Sequence, residues 1–386
     1  MRWYDITLVF FNARLQNNYL NIINSLTSKL SICVYVCPYH KFARTPETNR
    51  LFLTCCAELG AEVVKNHEQI ATEILFLPHV TALDKDYIET EVLEHISCKK
   101  RYVLQPFGVI GMRGASGRAL IREGFRRKFV FDEEIDNIMN REDKEDYSLD
   151  GLFEYTEIGD LNVNYPVFDD FSCDYLICFP SRLSLETKYS SYIFFRNIYE
   201  LVKKIETNDT IVLKRHTARD NESPLDSTLS RIFGDNRFLI HTLGGWVFLL
   251  VYKLFGEQFH GNHVYREVMK GIFYRQICKR CKELYTMHRY ANFGVELFLP
   301  GVKKGVITGR SSVIWFSLKQ RIPVFNCDEE KGFVNNTSFY FLYQRYEVPS
   351  SGDQLTFDEA LWEKVNETEF DFIKYLKNEL QVEGKM

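Results

Sequence analysis

What the chain lacks narrows its role first. No apolar run approaches the roughly 20 residues that a membrane-spanning helix needs; the strongest is only Trp246 to Tyr252. There is no excess of positive charge. The 48 Lys and Arg are set against 52 Asp and Glu, for a net charge of −4, so no broad basic field awaits nucleic acid, and none is expected as a partner. No Gly-x-Ser-x-Gly elbow is present, which disfavours a Ser–His–Asp hydrolase. Internal repeats and low-complexity tracts are absent. The N-terminus enters a strand pattern almost at once, without the charged lead and apolar core of a signal peptide. The 10 cysteines are scattered and several lie inside apolar runs. They read as buried thiols, and the expected setting is a reducing cytoplasm.

What is present is aromatic. Phe, Tyr and Trp make up 15% of 386 residues, enough for large cores and too many for a disordered chain. Ile6 to Phe10 is a continuous apolar run of the kind buried in parallel sheets. Helical spacing follows from Leu15 to Leu30, then a strand over 31–37, a helix over 51–59 closed by Gly60, and strands at 61–64 and 74–78. A helix over 88–95 and a strand at 101–104 complete the first series. A basic segment (Arg113, Arg118, Arg122, Arg126, Arg127, Lys128) and an acidic one (Asp132 to Asp146) read as solvated helices.

A second series begins near Asp174, with strands at 175–179, 210–213, 306–308 and 324–325 and helices at 192–204 and 370–380. Alternation of this kind predicts two doubly wound parallel sheets. The fold expected is α/β, with a first Rossmann-like domain over 1–160 and a second over 161–386. The second carries a helical insertion at about 225–290, whose best-patterned helix spans 264–282. The aromatic run in that insertion reads as core; the alternatives are a helix resting on a membrane or against a second copy in a homodimer. Within it, His260-x-x-His263 and Cys278-x-x-Cys281 have the spacing of metal ligands. The cysteine pair falls inside a helix pattern rather than on a turn, so no metal is expected.

Three places at strand ends could carry chemistry. Asp150-Gly151 is a common turn, or a carboxylate placed as a general base. Lys214-Arg215-His216 follows an apolar strand directly and suits a phosphate at the carboxyl end of a sheet. Val306-Ile307-Thr308-Gly309-Arg310-Ser311-Ser312 reads as strand, turn and helix start. There, free N–H groups and the helix dipole favour an anion, although a plain serine cap gives the same pattern. Glu296 precedes it in an apolar stretch and either faces solvent or binds something specific.

In that order the three motifs resemble those of the bacterial sialyltransferases with two Rossmann-like domains (GT-B), the lipooligosaccharide sialyltransferases and their polysialyltransferase relatives. Leu149-Asp150-Gly151 is similar to their acid–acid–Gly motif, His216-Thr217 to their His-Pro motif, and Ser311-Ser312 to their paired hydroxyls. Leu149 stands where the family has its first acid, and Thr217 where it has proline. The resemblance implies two domains facing a central cleft, the second holding the nucleotide sugar and the first the acceptor. It implies inverting transfer of sialic acid, or a related acid sugar, from a CMP-sugar to a glycan or glycolipid of a surface polysaccharide or lipooligosaccharide. Asp150 would be the base, and His216 would act on the leaving phosphate. Lys214, Glu296, Gly309, Ser311 and Ser312 would hold the nucleotide. No cofactor is implied, and peripheral contact with the inner membrane is a further expectation. The competing readings are a transferase using CMP-Kdo, a nucleoside diphosphate sugar or a CDP-polyol, and an inactive scaffold of polysaccharide assembly.

Overall fold

The computed structural model describes residues 1–11, 13, 18–37, 46–65, 68–78, 89–104, 125–128, 153–156, 168, 170–179, 190–215, 237–255, 258–309, 312–327, 376 and 380. The chain divides into two units, one comprising Met1–Pro166 and Glu367–Met386 and the other Val167–Asn366.

The strands of the first unit are β1 (Arg2–Phe10), β2 (Ile32–Val36), β3 (Glu62–Lys65), β4 (Ile70–Pro78), β5 (Ile96–Leu104), β6 (Phe125–Lys128) and β7 (Phe153–Thr156). They form one sheet in the order β3-β2-β1-β4-β5-β7-β6, with every neighbouring pair parallel. A parallel sheet is covered on both faces, which is why β1 is apolar without alternation; Ile6, Leu8, Val9 and Phe10 are all buried. Helices α1 (Asn18–Leu26) and α2 (Pro46–Glu58) are crossovers. α2 ends in a Schellman motif: Gly60 N–H donates to Ala57 O and Ala61 N–H to Cys56 O, each at 3.0 Å. Gly60 sits there at φ 97°, a backbone angle that a side chain would strain.

Two local expectations are corrected here. Of the helix expected over 88–95, the described residues 89–95 form no regular α-helix: a single π turn, Glu89–Leu93, leads into β5. Ile96 is drawn into the sheet beside Ile70, and that pairing ends the helical pattern early. Part of the basic segment is a strand rather than a helix, since Phe125–Lys128 forms the outermost strand of the sheet. Charge suits that place, because a charged edge resists pairing with other chains. In the closing segment Leu376 is helical and buried; the rest of 370–379 lies outside the described residues.

The second unit holds β8 (Cys173–Cys178), α3 (Ser190–Lys204), β9 (Ile211–Lys214), α4 (Arg237–His241), α5 (Leu243–Phe255), α6 (His263–Arg280), β10 (Lys282–Glu283), α7 (Leu284–Met287), β11 (Val302–Thr308), α8 (Ser312–Lys319) and β12 (Val324–Asn326). Its sheet runs β10-β9-β8-β11-β12, again parallel throughout. Counted within each unit, both sheets share the order 3-2-1-4-5, the doubly wound Rossmann arrangement. The chain is therefore α/β with two Rossmann-like units, the composition expected of a GT-B protein.

Aromatic side chains of α3 and α6 fill one face of the second sheet. Tyr199 stacks on Phe273 at 4.9 Å and Phe195 meets Tyr274 edge-on at 5.5 Å. Ile177, Leu213, Ile307 and Phe325 present the same face of the sheet to that cluster. α6 stops two residues short of the expected end. Cys281 turns extended, and Lys282 and Glu283 pair with Val212 and Leu213 as β10. Among the described residues, no helix is long and apolar enough to cross a membrane.

Candidate functional site

In an open doubly wound sheet, ligands sit beyond the carboxyl ends of the strands, where the strand order reverses. Each unit has one such switch point: β1/β4 in the first and β8/β11 in the second. In the first, Tyr19 of α1 is fully buried, and its hydroxyl donates to Val9 O at 2.7 Å, with Phe76 O at 3.5 Å. These carbonyls lie near the ends of β1 and β4, so a phenol from within the fold occupies the position.

The second switch point is built differently. Lys214, Cys178, Thr308 and Asn326 lie in register across β9, β8, β11 and β12, one row at the carboxyl edge. All four are buried, on the face opposite the α3–α6 cluster. Thr308 Oγ1 donates to Cys178 O at 3.0 Å, tying the two strands together at the reversal. Cys327 N–H donates to Thr308 O at 2.8 Å, and Asn197 Nδ2 donates to Cys327 O at 3.0 Å.

Lys214 is the unusual member. Its side chain is 5% exposed, and lysine is rarely so buried without a partner for its charge. The ammonium donates to Ala291 O at 2.8 Å and lies 5.5 Å from the Phe298 ring centroid. Burial pushes its pKa from 10.5 down to about 8, and the neighbouring Cys178 and Glu296 only partly oppose that. An ammonium has three donors, and among the described residues Ala291 O takes one of them.

Glu296 lies on a 3₁₀ turn, Val295–Leu297, and is 4% exposed, so the solvent-facing alternative does not apply. The turn packs against α8. α8 begins at Ser312, four residues after the end of β11, and its first turn therefore lies at the sheet's carboxyl edge. The positive end of its dipole is directed there. Gly309, directly after β11, is buried. Lys214 and Thr308 are two strand spacings apart, about 10 Å, and the side chain of Lys214 can cover much of that.

The segment covering Lys214 is held by side chains from the start of the unit. Tyr290 N–H donates to His288 Nδ1 at 3.2 Å, so the proton of the neutral ring is on Nε2, which meets Asp170 Oδ1 at 3.0 Å. That bond holds the Asp170 carboxyl below its ordinary pKa. Phe168 stacks on Tyr290 at 4.8 Å. Beside this site Arg215 forms a salt bridge with Glu283, joining β9 to β10 in side-chain contact as well as in the ladder.

The structure thus gathers Lys214, Glu296, Gly309 and the start of α8 around one switch point. Asp150, His216 and Ser311 lie outside the described residues, as do Leu149, Gly151 and Thr217. Ala291 and Phe298, which surround the ammonium, escaped sequence reasoning; no motif marks a residue that acts through a backbone carbonyl or a ring face. The spaced pairs His260/His263 and Cys278/Cys281 do not converge. Among the described residues no three His, Cys, Asp or Glu side chains form a metal-binding group. Cys278 is packed beside Tyr274 and burial pushes its thiol up to about 12.

No protein-family model matches the chain. No curated protein matches it in sequence. Among solved structures, one similar fold is a protein assigned as a UDP-N-acetylglucosamine 2-epimerase from Listeria monocytogenes, at 9% identity and a TM-score of 0.40, covering 99% of this chain and 90% of that one. Another is S. aureus MnaA in complex with UDP, at 9% identity and a TM-score of 0.37, covering 98% and 90%. Similarity at that level assigns this chain no family and no activity.

Proposed function

We propose that the protein is an inverting glycosyltransferase that moves sialic acid, or a related acid sugar, from a CMP-sugar to a glycan acceptor. The observation that carries this reading is the buried ammonium of Lys214 at the second switch point. A buried cation with donors to spare beside a helix N-terminus favours an anionic group on its ligand. A phosphate is the group that such sites hold in doubly wound folds. The order of the Asp150, His216 and Ser311-Ser312 motifs narrows the phosphate to that of CMP.

In this reading Asp150 accepts the proton of the acceptor hydroxyl as its oxygen attacks the anomeric carbon. The bond from that carbon to the phosphate oxygen breaks from the opposite face, and CMP leaves with the electron pair. His216 gives a proton or a hydrogen bond to the departing phosphate. Ser311, Ser312 and the α8 N-terminus stabilise its charge, and Lys214 adds a positive charge that strengthens as the leaving group becomes more anionic. Glu296 lies close enough to Lys214 to influence its titration, and in this reading it accepts hydrogen bonds from the ribose hydroxyls. A monophosphate leaving group is manageable by these groups without a metal.

The test is thermal stabilisation by nucleotides followed by donor turnover. CMP and CTP should raise the melting temperature where UDP and GDP do not, and CMP-linked acid sugars should be hydrolysed or transferred. Asp150→Ala should abolish transfer while leaving CMP stabilisation intact. Stabilisation by UDP or GDP alone would exclude the CMP donor. Full transfer by Asp150→Ala would remove the base from its role.

A further inference from the structure

Helix α5 has two apolar faces, and only one of them is used. Leu249 is buried, and Phe248, Val251 and Tyr252 pack against the α3–α6 core. On the other face Trp246, Val247, Leu250, Leu254 and Phe255 are between 49 and 66% exposed. Phe259 extends the surface, its ring 6.4 Å from Phe255. A contiguous surface of large apolar side chains on this scale marks a contact site. Scattered single residues would not.

The charge around this face selects the occupant. Residues 237–255 contain no Asp or Glu, but they do contain Arg237 and Lys253. Lys253 is exposed, and Lys279, also exposed, lies over the Trp246 ring at 5.9 Å. A second copy in a two-fold contact would offer these lysines no acid on α5 itself; in sequence the nearest is Glu257, two residues beyond the helix. An anionic lipid surface answers them directly. Trp, Leu and Phe enter the headgroup boundary while lysines remain at its level.

We propose that the exposed face of α5 is a docking surface for an anionic membrane. The surface is built from the second unit alone and is independent of what the switch point binds. The contact is peripheral: Trp246, Leu250, Leu254 and Phe255 bury their side chains between lipid headgroups, and Lys253 and Lys279 neutralise lipid phosphates.

The experiment uses the full chain with phosphatidylcholine vesicles prepared with and without phosphatidylglycerol. Sedimentation with the anionic vesicles and a blue shift of tryptophan emission are expected, with little of either on phosphatidylcholine alone. Replacing both lysines, Lys253→Gln with Lys279→Gln, should weaken binding roughly thirtyfold, from about fivefold for each basic residue near the surface. Leu250→Glu with Leu254→Glu should abolish binding. Both side chains are exposed, and unchanged melting would show that the fold is kept. Failure to bind anionic vesicles would overturn the proposal. Equal binding to both kinds of vesicle would overturn its electrostatic basis. A dimer in solution that the double glutamate variant converts to monomer, with no vesicle binding by either, would assign the face to a second copy.

Discussion

Replacing Lys214 with methionine should make the protein more stable, although the residue lies in the candidate site. The side chain keeps its length and loses its charge. Unfolded, Lys214 holds its proton below pH 10.5; folded, it does so only below about 8. Between those values the unfolded state binds more protons, so stability falls as the pH drops from 10.5 to 8 and stays at the lower level below that. The fall from 10.5 to about 8 corresponds to about 3 kcal/mol of destabilisation at pH 7. Against it stands the bond to Ala291 O at 2.8 Å, whose loss leaves a buried carbonyl and costs about 1 to 2 kcal/mol. Lys214→Met should therefore be about 1 to 2 kcal/mol more stable than wild type near pH 7, and the difference should reverse before pH 10.5, where only the lost bond remains. Urea melts of both proteins across that range measure the difference. A variant that is less stable at pH 7, by a margin that does not change with pH, would refute the idea of an uncompensated buried charge. The ligand supplies the complementary readout. An anionic phosphate beside the ammonium raises its pKa again, so CMP binding to wild type should weaken above pH 8, by up to about tenfold per pH unit. In Lys214→Met that dependence should be absent and binding weak throughout.

Three stability changes follow from the packing of the second unit. A Cβ at Gly305 would come 2.5 Å from Phe325 Cε2 and 3.1 Å from Pro323 O, so Gly305→Ala should cost about 1 to 3 kcal/mol in denaturant melts. Phe273 is fully buried between α3 and α6, and Phe273→Ala should lose about 3 to 5 kcal/mol. Arg215→Ala leaves Glu283 without its cation where both side chains are largely buried. A loss of about 3 kcal/mol should show in denaturant melts.

Much of this architecture was legible because it follows from local pattern. The unbroken apolar runs at Ile6–Phe10 and Tyr175–Phe179 could only be strands covered on both faces, and the structure puts them in the interior of two parallel sheets. Gly60 marked the end of α2 because an αL position is a local demand. What sequence could not supply is long-range. Residues 88–95 have helical spacing, yet Ile96 is claimed by a neighbour at Ile70. The helix over 264–282 stops at Arg280 because Lys282 and Glu283 add to β9. At the site, a basic residue after an apolar strand flagged Lys214, but its burial depends on Ala291 and Phe298, far along the chain. The run from Trp246 to Tyr252 read as core, and only Phe248, Leu249, Val251 and Tyr252 of it are. Hydrophobicity alone does not say which face of a helix finds a neighbour.

The strand order of the second sheet also sets the timing of its assembly. β8 is the central strand, flanked by β9 on one side and β11 on the other. β9 follows it closely in the chain, but Cys178 meets its other partner, Thr308, only after the intervening segment has been made. At usual rates of synthesis that is a wait of roughly 6 to 25 s. During it, one edge of an apolar strand has no native neighbour on the ribosome. The second unit should therefore fold late and cooperatively, once β11 emerges. Nascent chains that stall between the two strands should be the species most dependent on chaperones.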